Sequence, residues 1–257
     1  MKTKSEIVQN WLPRYTGTPL EDFGTCILLV NFINYVHMFA EMHGTRVCCE
    51  DKPMPNATAD GITIINFGMG SANAATVMDL LSAIQPKACL FLGKCGWLKE
   101  KKPGIGEFIL PIAAIRGEGA SNDYFPPEVP ALPAFNLQKA VSTTIRNYQR
   151  DYWTGTVYST NRRIWEHDDE FKAYLRRIRV LAIDMETATL FITGFYNKIP
   201  TGSLLLVSDQ PMQPDGIKTA ESDKKVTENF AELHLRIGID SLKEIINDGL
   251  TVKHLKF

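Results

Sequence analysis

Strand-like apolar runs recur along the chain at Cys26–Val30, Gly61–Phe67, Ala88–Leu92, Glu107–Ala113, Gly155–Ser159, Val180–Ile183 and Ser203–Val207. Helix-period segments lie between most of them. Phe32, Val36 and Phe39 share one helical face, as do Ala72, Ala75, Met78, Leu80 and Leu81 in the next segment. A final helix, roughly Asp223 to Asn247, turns Phe230, Leu233, Ile237, Ile239 and Leu242 inward and stops at Asn247-Asp248-Gly249. Strands alternating with helices predict an α/β fold, with a mostly parallel or mixed sheet covered by helices. At 257 residues the chain is read as one domain. The stretch Arg116 to Pro133, with four prolines, is expected to be a structured loop. Lys99 to Pro103 is expected to be a solvated turn.

Two apolar runs end in acid: Val180-Leu-Ala-Ile-Asp184-Met-Glu186 and Leu204-Leu-Leu-Val-Ser208-Asp209. In sheets of this type the carboxyl ends of neighbouring strands open onto a shared crevice where ligands bind. Three carboxylates are therefore expected at the mouth of one site. Partial desolvation there raises the pKa of a carboxylate, which suits it to act as a general acid.

Other candidates converge on the same crevice. Phe67-Gly68-Met69-Gly70-Ser71-Ala72-Asn73 leaves a strand and opens a helix, so its free N–H groups face any polar ligand. It is a poor dinucleotide fingerprint, because the third glycine is Asn73 and the next strand ends without the acid that binds a ribose hydroxyl. Phe91-Leu92-Gly93-Lys94-Cys95-Gly96 reads as a buried strand turning sharply on glycines and delivering Lys94 to the crevice. Burying that lysine is costly unless it meets an anion, and a ligand phosphate is expected; the alternative is that it snorkels to solvent or pairs with a structural carboxylate. The segment Gly155 to Glu166 carries two arginines and Trp165, which suit a phosphate and a flat heterocycle; an ordinary surface loop is the alternative.

Charge narrows the partners. The 28 basic and 29 acidic residues nearly cancel, which argues against nucleic acid or an anionic membrane as partner and leaves a small molecule. No stretch approaches a membrane span, and the N-terminus has no signal-peptide core. Five cysteines without C-x-x-C spacing fit a reducing cytoplasm. The five histidines lack ligand spacings, so no metal is expected.

Together these motifs resemble the nucleoside phosphorylase and nucleosidase superfamily. Its signatures appear here in order as Gly68-Met-Gly70, Gly93-Lys-Cys-Gly96, Met185-Glu186 and Ser208-Asp209. Within it the chain is most similar to the AMP nucleosidases, through Trp11-Leu-Pro-Arg-Tyr-Thr-Gly17, Arg163-Ile-Trp165-Glu166, Ile183 to Thr189, Val207-Ser-Asp-Gln-Pro211 with Lys218 beyond, and His234-Leu-Arg-Ile-Gly238. The resemblance implies a three-layer fold with a mixed, mostly parallel central sheet. It further implies a single catalytic domain over residues 1–257, with 1–22 as an extension, in a homo-oligomeric hexamer built from dimers, without metal or organic cofactor. Asp209 is implied as the acid that protonates the purine at N7, and Glu186 as the carboxylate that holds the ribose hydroxyls. Met185, Ser208 and Gly70 are expected to line the substrate, with Lys94, Arg163, Trp165 and Arg14 completing the set.

Two departures separate the chain from phosphorylases. Many of those carry an arginine where this chain has Phe91 and a Ser or Thr where it has Lys94, using both to hold inorganic phosphate. An early Gly-Asp-Pro turn is replaced by Asn31-Phe-Ile-Asn-Tyr, and the bulky Trp97 follows Cys95-Gly96. Water is thus expected as nucleophile, with AMP giving adenine and ribose 5-phosphate. A purine nucleoside phosphorylase is the alternative enzyme, and a silent nucleotide-binding protein the alternative from another class. The cations Lys94, Arg163 and Arg14 are expected to hold the 5′-phosphate, and Trp11–Gly17 and Arg116–Pro133 to lie at subunit contacts.

Overall fold

A computed structural model describes residues 2–99 and 104–247. Eight strands form one sheet: β1 (Cys26–Val30), β2 (Asn56–Ala59), β3 (Ile62–Asn66), β4 (Ala88–Trp97), β5 (Phe108–Gly117), β6 (Tyr152–Thr160), β7 (Ala182–Asp184) and β8 (Thr201–Asp209), in the order β2-β3-β1-β4-β7-β6-β5-β8. Because β4 also pairs with β8, the strands β4, β8, β5, β6 and β7 close into a ring, with β1, β3 and β2 extending from its side. The pairing is mixed: β1 runs parallel to β3 and β4, while β7 meets β4, and β8 meets β5, antiparallel.

Among the described residues the α-helices are α1 (Lys4–Thr16), α2 (Ile33–His43), α3 (Ser71–Leu81), α4 (Phe135–Asn147), α5 (Asp169–Arg177), α6 (Thr187–Tyr196) and α7 (Ala220–Asn247); all but α5, which packs in a smaller cluster with Tyr158 and Trp165, cover the two faces. On one face Tyr35, Phe39, Leu137, Val141 and Leu235 bury α2, α4 and α7 against Leu28, Leu90 and Leu206. On the other, Leu12, Val77, Leu190 and Phe191 bury α1, α3 and α6 against Ile27, Phe91 and Leu205. Successive strand residues feed opposite cores, so the strands are apolar throughout, and burying such side chains on both faces is the main force holding the layers together.

The observed strands differ from the expected ones in informative places. The sequence Gly93 to Gly96 does not turn: β4 continues through it to Trp97, with a register shift at Cys95 and Gly96. Its glycines serve close packing, since a Cβ at Gly93 would meet the Phe91 ring at 2.5 Å and Leu205 at 2.9 Å. Trp97 points into the core against Trp153. The polar strand β2 has no apolar signature and exists because it pairs along the edge of β3. Strand β7 begins at Ala182, two residues late, after Arg179 in a left-handed conformation. The Arg116–Pro133 stretch is organised by the Arg116 guanidinium, which donates to Ser121 Oγ, Asn122 Oδ1 and the carbonyls of Phe125, Pro126 and Val129. Residues 100–103 of the expected solvated turn, and Asp248-Gly249 of the expected helix stop, lie outside the described residues.

A polar contact is buried within this core. His234 on α7 is fully buried, its Nδ1 3.0 Å from the Tyr35 hydroxyl and its Nε2 3.0 Å from the Leu204 carbonyl. Burial pushes its pKa down to about 4, so it is neutral, donating at Nε2 and accepting at Nδ1.

Candidate active site

The C-terminal ends of β1, β4, β7 and β8 and the loop after β6 enclose a cleft of about 260 Å³. Its wall includes Asn31, Lys94, Glu186, Asp209, Lys218 and Asp223. The parallel strands β1, β4 and β8 bring their carboxyl ends to one side of the sheet, and β7 meets the end of β4 antiparallel through Gly96 and Ile183.

Glu186 sits between β7 and α6, and its carboxylate is held by backbone. Gly70 N–H donates to Oε1 at 2.7 Å and Met185 N–H to Oε2 at 3.2 Å, while the Asn31 amide supplies a further hydrogen bond. Gly70 can present its N–H because it adopts φ 96°, a conformation that side-chain-bearing residues rarely enter. Burial, and then the nearby Asp184 carboxylate, raise the Glu186 pKa to about 7 despite these donors. Asp184 accepts from Ser159 Oγ at 2.6 Å, from Thr187 N–H at 2.9 Å and from the Thr187 hydroxyl, and burial raises its pKa while these bonds oppose the rise. Asp184 thus pins the β7–α6 turn, and both it and Glu186 line the cleft.

Asp209 ends β8. The Ser208 hydroxyl lies 2.7 Å from its Oδ1 and 3.3 Å from the Cys95 carbonyl, which fixes the carboxylate against β4. Gly96 leaves room beside it, since a Cβ there would stand 3.2 Å from Asp209 Oδ2. Lys218 Nζ lies 3.7 Å from both Asp209 Oδ1 and Asp223 Oδ1.

The expected cations fare differently. Lys94 reaches the cleft, but its ammonium is already paired: Asp223 Oδ1 and Thr227 Oγ1 each accept from it at 2.8 Å, and the Phe32 ring lies 4.6 Å away. With its side chain only 2% exposed, burial lowers its pKa. The structural carboxylate, left open as an alternative for Lys94, is present in Asp223. Arg163 lines the cleft opposite, 3.5 Å from Glu166. Trp165 also borders it, 4% exposed and in a T-shaped contact with Phe171. Arg14 is not brought to the cleft within this chain; it sits on α1 over the Trp11 ring. Phe91 is buried against Phe67, so the phosphate-binding charge of the phosphorylases has no counterpart there.

A sequence model of the phosphorylase superfamily matches residues 36–246, most of the chain and all of the strands that follow β1. The chain belongs to the phosphorylase superfamily. Within that superfamily it is 28% identical to the AMP nucleosidase of Escherichia coli (strain K12) over 284 residues, an alignment covering 93% of this chain and 58% of that protein. The chain therefore spans little more than half the length of this curated relative. The crystal structure of AMP nucleosidase from Bacteroides thetaiotaomicron VPI-5482 superimposes with a TM-score of 0.86 at 58% identity, covering 97% of this chain and 100% of that one. A uridine phosphorylase from Vibrio fischeri ES114, 22% identical with a TM-score of 0.77 over 88% of this chain and 93% of that one, shares the fold. The nucleoside phosphorylase-like architecture is thus the observed one.

Of the residues lining this cleft, the sequence pointed to Lys94, Arg163, Trp165, Met185, Glu186 and Asp209 as site residues but not, among others, to Asn31, Asp223 and Glu166. Asn31 carried a signal, since it follows the central strand β1 and so stands at the crevice that parallel sheets open. Asp223 carried none, because an acid in the first turn of a helix reads as a capping charge.

Proposed function

We propose that this protein hydrolyses the N-glycosidic bond of AMP, giving adenine and ribose 5-phosphate. The 58% identity to an AMP nucleosidase of known structure, over nearly the full length of both chains, is the observation that carries the reading. The cleft supports it chemically. Adenine leaves poorly as an anion, and the sugar becomes cationic as the bond lengthens. Asp209, in its protonated form, donates to the purine at N7 while Ser208 holds its carboxyl group in place. Glu186 grips the sugar hydroxyls, and its charge favours the cationic sugar in the transition state. Met185 and Gly70 frame the sugar, and water completes the displacement with no cofactor.

The 5′-phosphate falls to Arg163 and Lys218, with Lys94 contributing through the Lys94–Asp223–Lys218 chain. Arg14 joins only if supplied by another copy of the chain. The protein works as a single catalytic domain in the cytoplasm and assembles as a hexamer built from dimers. Trp11, 41% exposed on α1, and the Arg116–Pro133 loop are the proposed contact surfaces, so light scattering returning a monomer would remove that part.

The deciding experiment is a product assay on AMP and adenosine, each with and without inorganic phosphate. Charge-assisted contacts to phosphate contribute about 1.5–3 kcal/mol each, so AMP should exceed adenosine by at least about tenfold in kcat/KM. A requirement for inorganic phosphate, with ribose 1-phosphate as product, would establish a purine nucleoside phosphorylase instead.

A further inference from the structure

The wall that holds Glu186 carries one acceptor that this chemistry leaves unused. Asn31 directly follows β1, is half-buried and lines the cleft. Its amide serves Glu186 as a hydrogen-bond partner, which turns Nδ2 to the carboxylate and Oδ1 away from it. That oxygen is buried and, among the described residues, has no hydrogen-bond partner. A buried carbonyl oxygen without a donor is rare, because it has given up water and gained nothing.

The lone pairs of Glu186 explain what such an oxygen is for. A carboxylate offers about four acceptor positions. Gly70 N–H, Met185 N–H and the Asn31 amide occupy three of them. One remains for a substrate, whereas a ribose diol brings two hydroxyl donors on adjacent carbons. The second hydroxyl needs another acceptor beside Glu186, and Asn31 supplies one from the same wall.

We propose that Asn31 is a specificity-determining residue that shares the sugar diol with Glu186: Glu186 accepts one hydroxyl and Asn31 Oδ1 accepts the other, so the cleft selects ribonucleotides over deoxyribonucleotides. The assignment rests on AMP being the substrate and Glu186 facing its ribose. A sugar lacking the matching hydroxyl leaves the Asn31 oxygen unpaired, and a site built to receive a hydroxyl discriminates strongly against an analogue without it.

The test compares kcat/KM for AMP, 2′-deoxy-AMP and 3′-deoxy-AMP in the wild-type protein and in Asn31→Ala. The wild type should prefer AMP over at least one analogue by about tenfold or more. In Asn31→Ala that same preference should shrink about tenfold, while the preference over the other analogue is retained. Asn31→Leu, closer in shape, gives the same comparison should the alanine variant fail to fold. An active variant that discriminates against both analogues as strongly as the wild type overturns the assignment and leaves AMP hydrolysis standing. A wild-type protein that does not cleave AMP sinks the substrate reading and this assignment with it.

Discussion

The fold resists ionising Glu186, and Glu186→Gln measures by how much. Burial and the Asp184 carboxylate raise its pKa from an ordinary 4.5 to about 7. Below about pH 4.5 the folded and unfolded chains both carry the proton, so Glu186 costs the fold nothing. Between there and about pH 7 the unfolded chain releases the proton while the folded chain keeps it, and stability falls. Above about pH 7 both are ionised and the loss is complete. At about 1.36 kcal/mol for each tenfold in proton affinity, the full loss is on the order of 3 kcal/mol. It belongs to Glu186 and Asp184 jointly, because the two carboxyl groups titrate as a pair. Glutamine has no proton to release. Near pH 5 the variant should be the less stable protein, since its NH₂ group replaces one of the two oxygens that accept from Gly70 and Met185 and so faces an N–H donor. Towards pH 8 the variant should gain about 2–3 kcal/mol on the wild type. Urea unfolding of both proteins at the two pH values gives the double difference, in which other titrating groups cancel. An unchanged gap between wild type and variant would refute the idea that Glu186 is held near neutrality by burial. The same substitution should lower both binding and turnover of AMP, since a carboxylate on the sugar acts in ground and transition states alike.

Asp209→Asn keeps the shape of the proposed acid but cannot deliver a proton, so turnover of AMP should fall by about 10²–10⁴-fold with nucleotide binding largely intact; near-normal turnover would reassign the acid. Asp223→Ala strips the partner from the buried Lys94 ammonium and should destabilise the protein by about 2 kcal/mol in urea unfolding, a figure set below that for fully buried pairs because Asp223 is a third exposed. His234, depressed from 6.5 to about 4 by burial, costs the fold nothing at neutral pH, and as pH falls from about 6.5 towards 4 the unfolded chain takes up the proton first and stability should drop by about 3 kcal/mol in all. It opposes the Glu186 effect over the same range, so His234→Gln should flatten the acid limb of the stability profile; a limb as steep as the wild type's would place the titrating group elsewhere.

The strands were legible because their apolar character follows from burial on both faces, a demand each residue meets locally. Cys26–Val30 has the expected bounds, and Asp184 and Asp209 end their strands as the pattern required, with Glu186 two residues beyond β7. The motifs Met185-Glu186 and Ser208-Asp209 were equally legible, since their order and type survive in a single chain. What the sequence could not settle was pairing. Asn56–Ala59 becomes a strand only through the edge of β3, and Gly93 and Gly96 read as a turn until the Phe91, Leu205 and Pro211 side chains around them are known.

Charge pairing was also beyond the sequence. Lys94 and Asp223 are 129 positions apart, and no local rule links an ammonium in a strand to a carboxylate in the first turn of α7. Composition likewise does not say how much of the Trp165 indole stays exposed, and packing leaves it 4% exposed at the cleft wall. Sequence alone thus determined which chemical groups reach the strand ends. Tertiary structure decided which of them neutralise one another, because desolvation and Coulomb energies depend on distances through space that positions along the chain do not encode.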